Sequence, residues 1–365
     1  MSEYPNITNE ATTAPARSLE SPGRLLWRRF RNQRVALFGG GILVVVYFVA
    51  IFAGFFAPYR YDRDDRSRFF HCPMSLRFAN GGLAVQVYEG SSDFSHYKEV
   101  PGKTVPLHFF VQGQSYKLLG CIPLTTHFFG TGDDSAPAYL LGADEMGRDV
   151  LSRLLYGSQL SLSIGLVGII LRFGFGMIAG GFAGYLGGWT DTIIMRSCEL
   201  IMSIPALYLI MALRSTFPPG MSSTKVYLLI VVILSLVGWA GSARVIRGIS
   251  LSLRERQYVL AARTLGLSPW RIVVRHVLPG SFSYLIVAAT LSIPNFILGE
   301  VVLSFLGVGV QEPSASWGIM LKAAQNPVSL AEYPWLLAPG VAIFITVLAF
   351  NFLGDGLRDA LDVKT

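Results

Sequence analysis

Charged side chains are scarce in this chain of 365 residues, because Asp, Glu, Lys and Arg together make up only 15% of it. Soluble domains carry roughly 25%. Hydrophobic residues make up 52%, and the mean hydropathy is +0.48. Several apolar runs reach the roughly 20 residues that a helix needs to cross a bilayer. The composition therefore excludes an ordinary soluble domain and predicts a polytopic membrane protein.

Cysteine is rare as well, with three residues in the whole chain and no spacing typical of a metal site. Cys198 lies in an apolar run, where we expect it to be a packing residue. Cys72 and Cys121 fall in one polar segment, and a disulfide between them is left open. The histidines of that segment have no ligand spacing either; they are His71, His96, His108 and His127. The sequence therefore predicts no bound metal.

Catalytic and nucleotide-binding motifs are missing too. Gly102, Lys103 and Thr104 resemble the end of a phosphate-binding loop, but Tyr97 stands where that motif needs its first glycine. The sequence has no recognisable Ser-His-Asp or paired-carboxylate arrangement, so it gives a membrane enzyme no support. We expect the chain to bind no cofactor.

Six apolar runs predict an all-α bundle of six transmembrane helices. They cover residues 35–57, 160–186, 192–213, 226–243, 281–306 and 335–356. Arginines cluster at 24–34 and 244–275, directly beside these runs, as the positive-inside rule requires of cytoplasmic segments. Topology thus explains the net charge of +7, and no nucleic acid is expected as a partner. Both termini are predicted to lie in the cytoplasm.

Three glycines recur at intervals of four in the second apolar run: Gly176, Gly180 and Gly184. At this spacing they share one helix face, where small residues let a second helix approach closely. The alternative is simple tolerance of glycine in a membrane helix. Because three lie in register, we predict a helix-packing site.

A long polar segment, residues 59–157, follows the first apolar run. Alternating residues at 83–88 and 105–119 predict short strands. Structureless loops of this length are uncommon, so we expect an ordered extracytoplasmic insert. Its role is left open between a docking surface, a cap over a pore and a decoration. Near its end, apolar residues on one face predict a short helix lying on the membrane surface; they are Val150, Leu151, Leu154 and Leu155.

Residues 254–279 separate two apolar runs and carry helical signals of their own. Gly266 stands where a helix ends in a left-handed residue. Ser268 and Pro269 are typical of an N-cap and first turn, and Pro279 ends the second helix. We predict a helix–turn–helix elbow outside the lipid, with an apolar face that docks into a groove of a soluble partner. The alternative is an amphipathic helix pair on the membrane surface without a partner.

This elbow resembles the Glu-Ala-Ala loop of the permease subunits of ABC importers. The matching residues are Ala261, Ala262, Gly266, Leu278 and Pro279, while Leu260 replaces the Glu and His276 replaces an Ile. Two other segments resemble the dipeptide, oligopeptide and nickel branch of that family. One contains Asp144, Gly147, Arg148, Asp149 and Ser152, with Ala143 in place of a Thr. The other contains Phe305, Leu306, Gly307, Gly309, Gln311, Ser316, Trp317 and Gly318.

The resemblance implies the type I importer permease fold and ATP-driven import of peptides or a related small solute by alternating access. Together with the apolar runs and the arginine clusters, it divides the chain into a cytoplasmic segment at 1–34, a first helix at 35–58, the insert at 59–157 and a permease domain at 158–365 with its coupling loop at 248–280; the resemblance does not cover residues 61–140 well. The partners it implies are a second homologous permease, two ATPase subunits that bind ATP and Mg, and an extracytoplasmic solute-binding protein. The assembly would lie in the lipid of the bacterial inner membrane. The expected ATPase-coupling residues are Tyr258, Ala261, Ala262, Gly266, Leu278 and Pro279.

Charged residues inside the apolar runs bear on the alternative, an ion-coupled secondary transporter. That class needs charges near the midplane and an internal repeat, and no convincing repeat is present. Arg196 and Glu199 are three residues apart and are expected to form a local ion pair. Arg172 and Glu300 are more isolated. Glu300 is expected either to face a pore or to pair with a neighbouring subunit.

Overall fold

The computed structural model describes residues 22–79, 81–90, 97–118, 120–133, 136–218 and 220–361. The helices are α1 (Pro22–Arg31), α2 (Arg34–Ile51), α3 (Ala53–Phe56), α4 (Val150–Leu186), α5 (Gly188–Ser203), α6 (Ala206–Ser215), α7 (Ser223–Leu253), α8 (Gln257–Thr264), α9 (Pro269–Ile272), α10 (Phe282–Phe305), α11 (Trp317–Lys322), α12 (Pro327–Glu332) and α13 (Ala338–Leu361). The strands are β1 (Leu76–Ala79), β2 (Gly82–Gly90), β3 (Tyr97–Pro106), β4 (His108–Leu118) and β5 (Ile122–Gly130). His96 and most of the expected N-terminal segment lie outside the described residues.

Within the described ranges, five helical stretches are long and apolar enough to cross a membrane. They are Arg34–Ile51, Val150–Leu186, Ser223–Leu253, Pro269–Phe305 and Pro334–Leu361. The polytopic helical fold predicted from the sequence is thereby confirmed. The run 192–213, predicted as one of six spans, forms two helices, α5 and α6, that meet at 88°; counted as one broken span they make the sixth. Ile204 between them is extended, with φ −92° and ψ 128°, and Pro205 has no N–H to continue the helical hydrogen bonds.

Helix α4 also differs from the prediction, because the separate surface helix around Val150 does not exist. Val150 is instead the first residue of one continuous helix of 37 residues. Asp149 caps this helix by accepting a hydrogen bond from the Ser152 backbone N–H at 2.7 Å. Ser152 and Arg153 are buried, so the first turns of α4 pack against protein on the side that was expected to face water.

The length of α4 defines two sides of the bundle. Thirty-seven residues rise about 55 Å, whereas the hydrocarbon core of a bilayer is about 30 Å thick. The N-terminal end of α4 joins the strands, and we call that side of the bundle the insert side. At the other end, Tyr185 packs under the segment 254–279, and we call that side the elbow side.

The core of the bundle lies where α4 meets α10, α11 and α13. Leu162 of α4 packs with Ile297 of α10, Trp317 of α11 and Phe350 of α13, and all four side chains are buried. Gly168 of α4 lies directly against the ring of Phe296, so α4 and α10 are in close contact. This packing holds three spans and the short α11 together on the insert side.

The insert forms the antiparallel strands that the sequence predicted. Strands β1, β2 and β3 make one sheet in that order, and β4 pairs with β5 in a separate hairpin. Val85 and Leu107 form a small core with Ala138. The expectation for Cys72 and Cys121 was open; within the described part of the chain they form no disulfide. The insert is therefore ordered by packing alone.

Several contacts attach the insert to the helices, and two of them show how. The ring of Phe70 stacks on Tyr333, with ring centroids 4.1 Å apart. The buried imidazole of His127 on β5 lies with Nδ1 2.6 Å from the carbonyl oxygen of Ala57, just after α3. Both sheets of the insert are thus connected to the helical bundle through buried or stacked side chains.

Candidate functional site

The elbow is built from two short helices and a turn that the sequence specifies locally. Helix α8 ends in a Schellman motif: the N–H of Leu267 donates to Ala262 O at 3.3 Å, and that of Gly266 donates to Arg263 O at 3.0 Å. Gly266 has a φ of +74°, the left-handed conformation expected for it. Pro269 then opens α9 as its first residue. The turn between the helices therefore depends on a glycine.

The inner face of the elbow is a small apolar cluster. Val259, Ala262, Ile272 and Val277 are buried in it. Ala262 is only 4% exposed, so the expectation that it faces a partner groove is wrong. It lies three residues after Val259 on the same helix face, and this face turns toward the chain's own spans.

The outer face of the elbow carries the exposed apolar residues. Tyr258, Ala261 and Leu265 share one side of α8, and Leu265 is 81% exposed. Trp270 of α9 is also more than half exposed. Exposed arginines surround these residues: Arg256, Arg263, Arg271 and Arg275. The surface available to a partner is therefore apolar in the middle and basic at its edge.

Leu278 and Pro279 lie at the junction between the elbow and α10. Leu278 is buried and packs with Val273 and with Ile246 of α7, whereas Pro279 is exposed. A Cβ added to Gly181 of α4 would come within 2.7 Å of Leu278, so α4 also contacts the junction closely. The elbow is thus packed directly against two long spans, α4 and α7.

The glycine row of α4 lies against α7. A Cβ on Gly176 would come within 2.8 Å of Ser242, and one on Gly184 within 2.7 Å of Ser250. Gly180 lies between them, against Ala243 of the same helix. These glycines let the two backbones approach closely, in the manner of a small-xxx-small face.

Polar side chains connect the same helices. Arg172 of α4 donates from Nε to the Ser242 hydroxyl of α7 at 3.0 Å. Arg196 and Glu199 form the predicted local ion pair, 2.5 Å apart and exposed. The Arg172 contact adds to the packing of α4 on α7, whereas the Arg196–Glu199 pair lies on the surface of α5.

A charged cluster on the insert side joins the start of α4 to the segment before α11. Glu312 accepts from Arg148 Nη1 at 2.7 Å and from Arg153 Nη2 at 2.8 Å. Asp144 accepts from Arg148 Nε at 2.8 Å. Both arginines are buried, although the sequence suggested a solvated polar face. The Arg148–Asp144 pair is buried, so removing either partner would destabilise the fold. Glu312 is about half exposed, and its two ion pairs join the start of α4 to the segment before α11.

A cavity of about 590 Å³ opens beside this cluster. Besides the ion pairs, its polar lining includes Lys322, Gln325 and Asn326. Nothing in the spacing of the sequence pointed to it, because Glu312 and its two arginines are 164 and 159 residues apart. Asp149, adjacent to the cluster, is fully buried, and this burial raises the pKa of its carboxyl to about 7.

Glu300 is enclosed by hydroxyl groups of its own chain. Its carboxylate accepts from Ser304 at 2.7 Å and from Ser161 of α4 at 3.2 Å, and the Ser316 side chain lies close to it. The side chain is fully buried within this single chain. The two expectations for Glu300, a pore-facing charge or a pair with another subunit, are therefore both wrong. The sequence could not reveal this, because the enclosing serines come from three separate segments.

Each serine around Glu300 also accepts a backbone N–H. Ser161 accepts from Trp317, Ser304 from Val310 and Ser316 from Ile319, at 3.2 to 3.3 Å. These donors all belong to the segment between α10 and α11 or to the first turn of α11. Glu300 therefore orients the hydroxyls of Ser161 and Ser304, which hold this segment, and the segment also carries Glu312.

Comparison with known proteins matches residues 175–365 to the family described as "Binding-protein-dependent transport system inner membrane component". Residues 21–73 match the "N-terminal TM domain of oligopeptide transport permease C". The chain is 32% identical over 348 residues to the glutathione transport system permease protein GsiD of Pectobacterium atrosepticum, covering 95% of this chain and 93% of the relative. It is 40% identical over 243 residues to the dipeptide transport system permease protein DppC of Bacillus subtilis, covering 66% and 70%. The oligopeptide transport system permease protein OppC of the same organism is 36% identical over 241 residues, covering 66% and 76%.

Proposed function

The chain belongs to the family of inner-membrane components of binding-protein-dependent transport systems and is a permease subunit of an ABC importer, and on that premise we propose that it forms half of a translocation path for peptides. The names of the relatives in dipeptide, oligopeptide and glutathione transport support this substrate class. The chain is a transport subunit and not an enzyme. The ion-coupled alternative loses its main support, because serines of the chain enclose Glu300.

We propose that the elbow couples this subunit to an ATPase. The proposal rests on the difference between the two faces of the elbow. The inner face packs on α4 and α7, and the outer face exposes Tyr258, Ala261 and Leu265 inside a basic edge. A helix in this arrangement docks into an apolar groove of a soluble protein. When the ATPases close on ATP and Mg, the elbow moves with them, and the spans packed on it follow.

The substitution Leu265→Asp tests this coupling. Leu265 is 81% exposed, so the aspartate would remain hydrated and the fold would persist, while the docking surface gains a charge. We expect loss of co-purification with the ATPase subunits in detergent. Val328→Asp on α12 is the matched control, because Val328 is 63% exposed on another part of the chain. Equal ATPase recovery in both variants would exclude the elbow as the docking surface.

The complete assembly proposed here contains a second homologous permease, two ATPase subunits and an extracytoplasmic solute-binding protein. We propose that the elbow side is cytoplasmic, with both termini, because the arginine clusters lie at 24–34 and 244–275. Cysteines introduced at Gly90 and Arg263, in a background without the native cysteines, test the orientation. A membrane-impermeant maleimide should label position 90 from outside and leave position 263 unlabelled. Labelling of both from the same side would overturn the topology.

The substrate itself is decided by the solute-binding protein. Isolating that protein from cells grown on a peptide mixture, and identifying the retained solute by mass spectrometry, tests the peptide assignment. Di- or oligopeptides are expected. Retention of a metal chelate alone would exclude peptides while leaving the permease function intact.

A further inference from the structure

Two phenylalanines at the start of strand β4 are exposed beside other aromatic rings. Phe109 is 51% exposed and Phe110 is 65% exposed. Both rings lie near Phe128 of the paired strand β5, at centroid distances of 5.5 and 5.9 Å. Adjacent exposed apolar rings of this kind mark a surface that contacts something other than water.

The backbone of β4 is bent to place both rings together. Consecutive side chains of a strand normally point to opposite faces. Phe110 has a φ of +56°, a conformation that is rare and unfavourable for a bulky residue. The departure from strand geometry lets Phe109 and Phe110 lie on the same side, against Phe128. The position of the exposed pair therefore follows from the bent backbone of the hairpin and not from the ordinary alternation of side chains along a strand.

This ring cluster continues without a break into the first span. Phe128 lies 5.7 Å from both Phe55 and Phe56 of α3. Phe56 in turn lies 6.1 Å from Phe48 of α2. Phe48 is 51% exposed on a helix that is long and apolar enough to cross the membrane, and its neighbours Val44 and Val45 are more exposed still. The hairpin surface is thus continuous with the exposed apolar side of α2.

We propose that the β4–β5 hairpin lies on the bilayer surface at the insert side, with the rings of Phe109 and Phe110 among the lipid acyl chains beside α2. Lipid is the occupant that the continuity with α2 favours, because the exposed apolar side of a membrane-spanning helix contacts acyl chains. The hairpin then stabilises the outer end of the first span and sets the tilt of the insert relative to the membrane.

Site-directed spin labelling tests this placement in the whole importer, reconstituted in lipid nanodiscs. Cysteines replace Phe109 or Phe110 in a chain whose three native cysteines are serine. Val44→Cys on α2 serves as the lipid reference. Phe78→Cys is the matched control, because Phe78 is 79% exposed on β1, beside the ion pair of Arg77 and Glu99. For each spin label we measure the ratio of its collision rate with oxygen to its collision rate with a water-soluble nickel chelate, and the ratios at the four positions are compared.

Labels at Phe109 and Phe110 should show a ratio close to that at Val44 and well above that at Phe78. A ratio equal to that at Phe78 would overturn the proposal, since the hairpin would then be in water. Protection from both reagents would also overturn it, because a protein partner would then cover the rings.

A second measurement needs no substitution. Photoreactive phospholipid in the unmodified complex should give adducts within 108–130 and none within 76–90. Adducts confined to the transmembrane helices would contradict the lipid contact.

Discussion

Two neighbouring alanines allow the packing of the elbow within the chain to be tested separately from its docking to a partner. Ala262 is buried against Val259, Ile272 and Val277, whereas Ala261 on the next position is exposed. The substitution Ala262→Leu would add three carbon atoms to a filled cluster. Overpacking of this kind costs about 1–3 kcal/mol. Ala261→Leu would add the same atoms to the outer surface, where nothing within the chain has to move.

Thermal unfolding of the purified protein in detergent distinguishes the two variants. We expect a clearly lower melting temperature for Ala262→Leu and an unchanged one for Ala261→Leu. The recovery of ATPase subunits should show a different pattern: Ala261→Leu should weaken it while the fold stays intact. A normal melting temperature for Ala262→Leu, combined with a lowered one for Ala261→Leu, would refute the assigned orientation of α8.

Three further changes follow from the same structure. Gly266→Val should abolish transport-coupled ATP hydrolysis, because a φ of +74° is strained for a β-branched residue; Gly266→Asn, which tolerates this conformation, should retain it. Glu300→Ala should lower the melting temperature by leaving two buried hydroxyls, those of Ser161 and Ser304, without their acceptor, whereas Glu300→Gln should be tolerated; loss of transport in a stable Glu300→Gln variant would instead assign a role to the charge. The raised pKa of Asp149, about 7, means that its protonated form stabilises the fold at low pH and that this contribution is lost as pH rises through 7. The melting temperature should therefore fall between pH 5 and pH 8, and Asp149→Asn should remove this part of the fall.

Local signals in the sequence predicted the features that depend on neighbouring residues. Apolar runs identified the spans because hydropathy is a property of contiguous residues. Gly266 was recognisable because only its own backbone conformation matters. Pro205 is a local signal of the same kind, but the prediction of a span over 192–213 did not use it. It marks the break between α5 and α6.

Features that depend on distant residues were not predictable in this way. Ala261 and Ala262 are chemically identical, so only the position of α4 and α7 decides which of them is buried. Glu312 binds Arg148 and Arg153 across more than 150 residues of chain, and no periodicity connects them. Arg148 belongs to a motif that was recognised by resemblance, but the physical role of this arginine became clear only from the geometry.

Helix α4 connects the two sides of the bundle as one rigid element. On the insert side its Arg153 holds Glu312, and one third of the way along, Ser161 holds Glu300. On the elbow side its glycines contact α7 and the buried Leu278. An α-helix without a break transmits a displacement along its axis, because its hydrogen bonds resist both stretching and bending. We therefore expect a movement of the elbow to displace the insert-side cluster as well, whereas the bend at Pro205 separates α5 from α6.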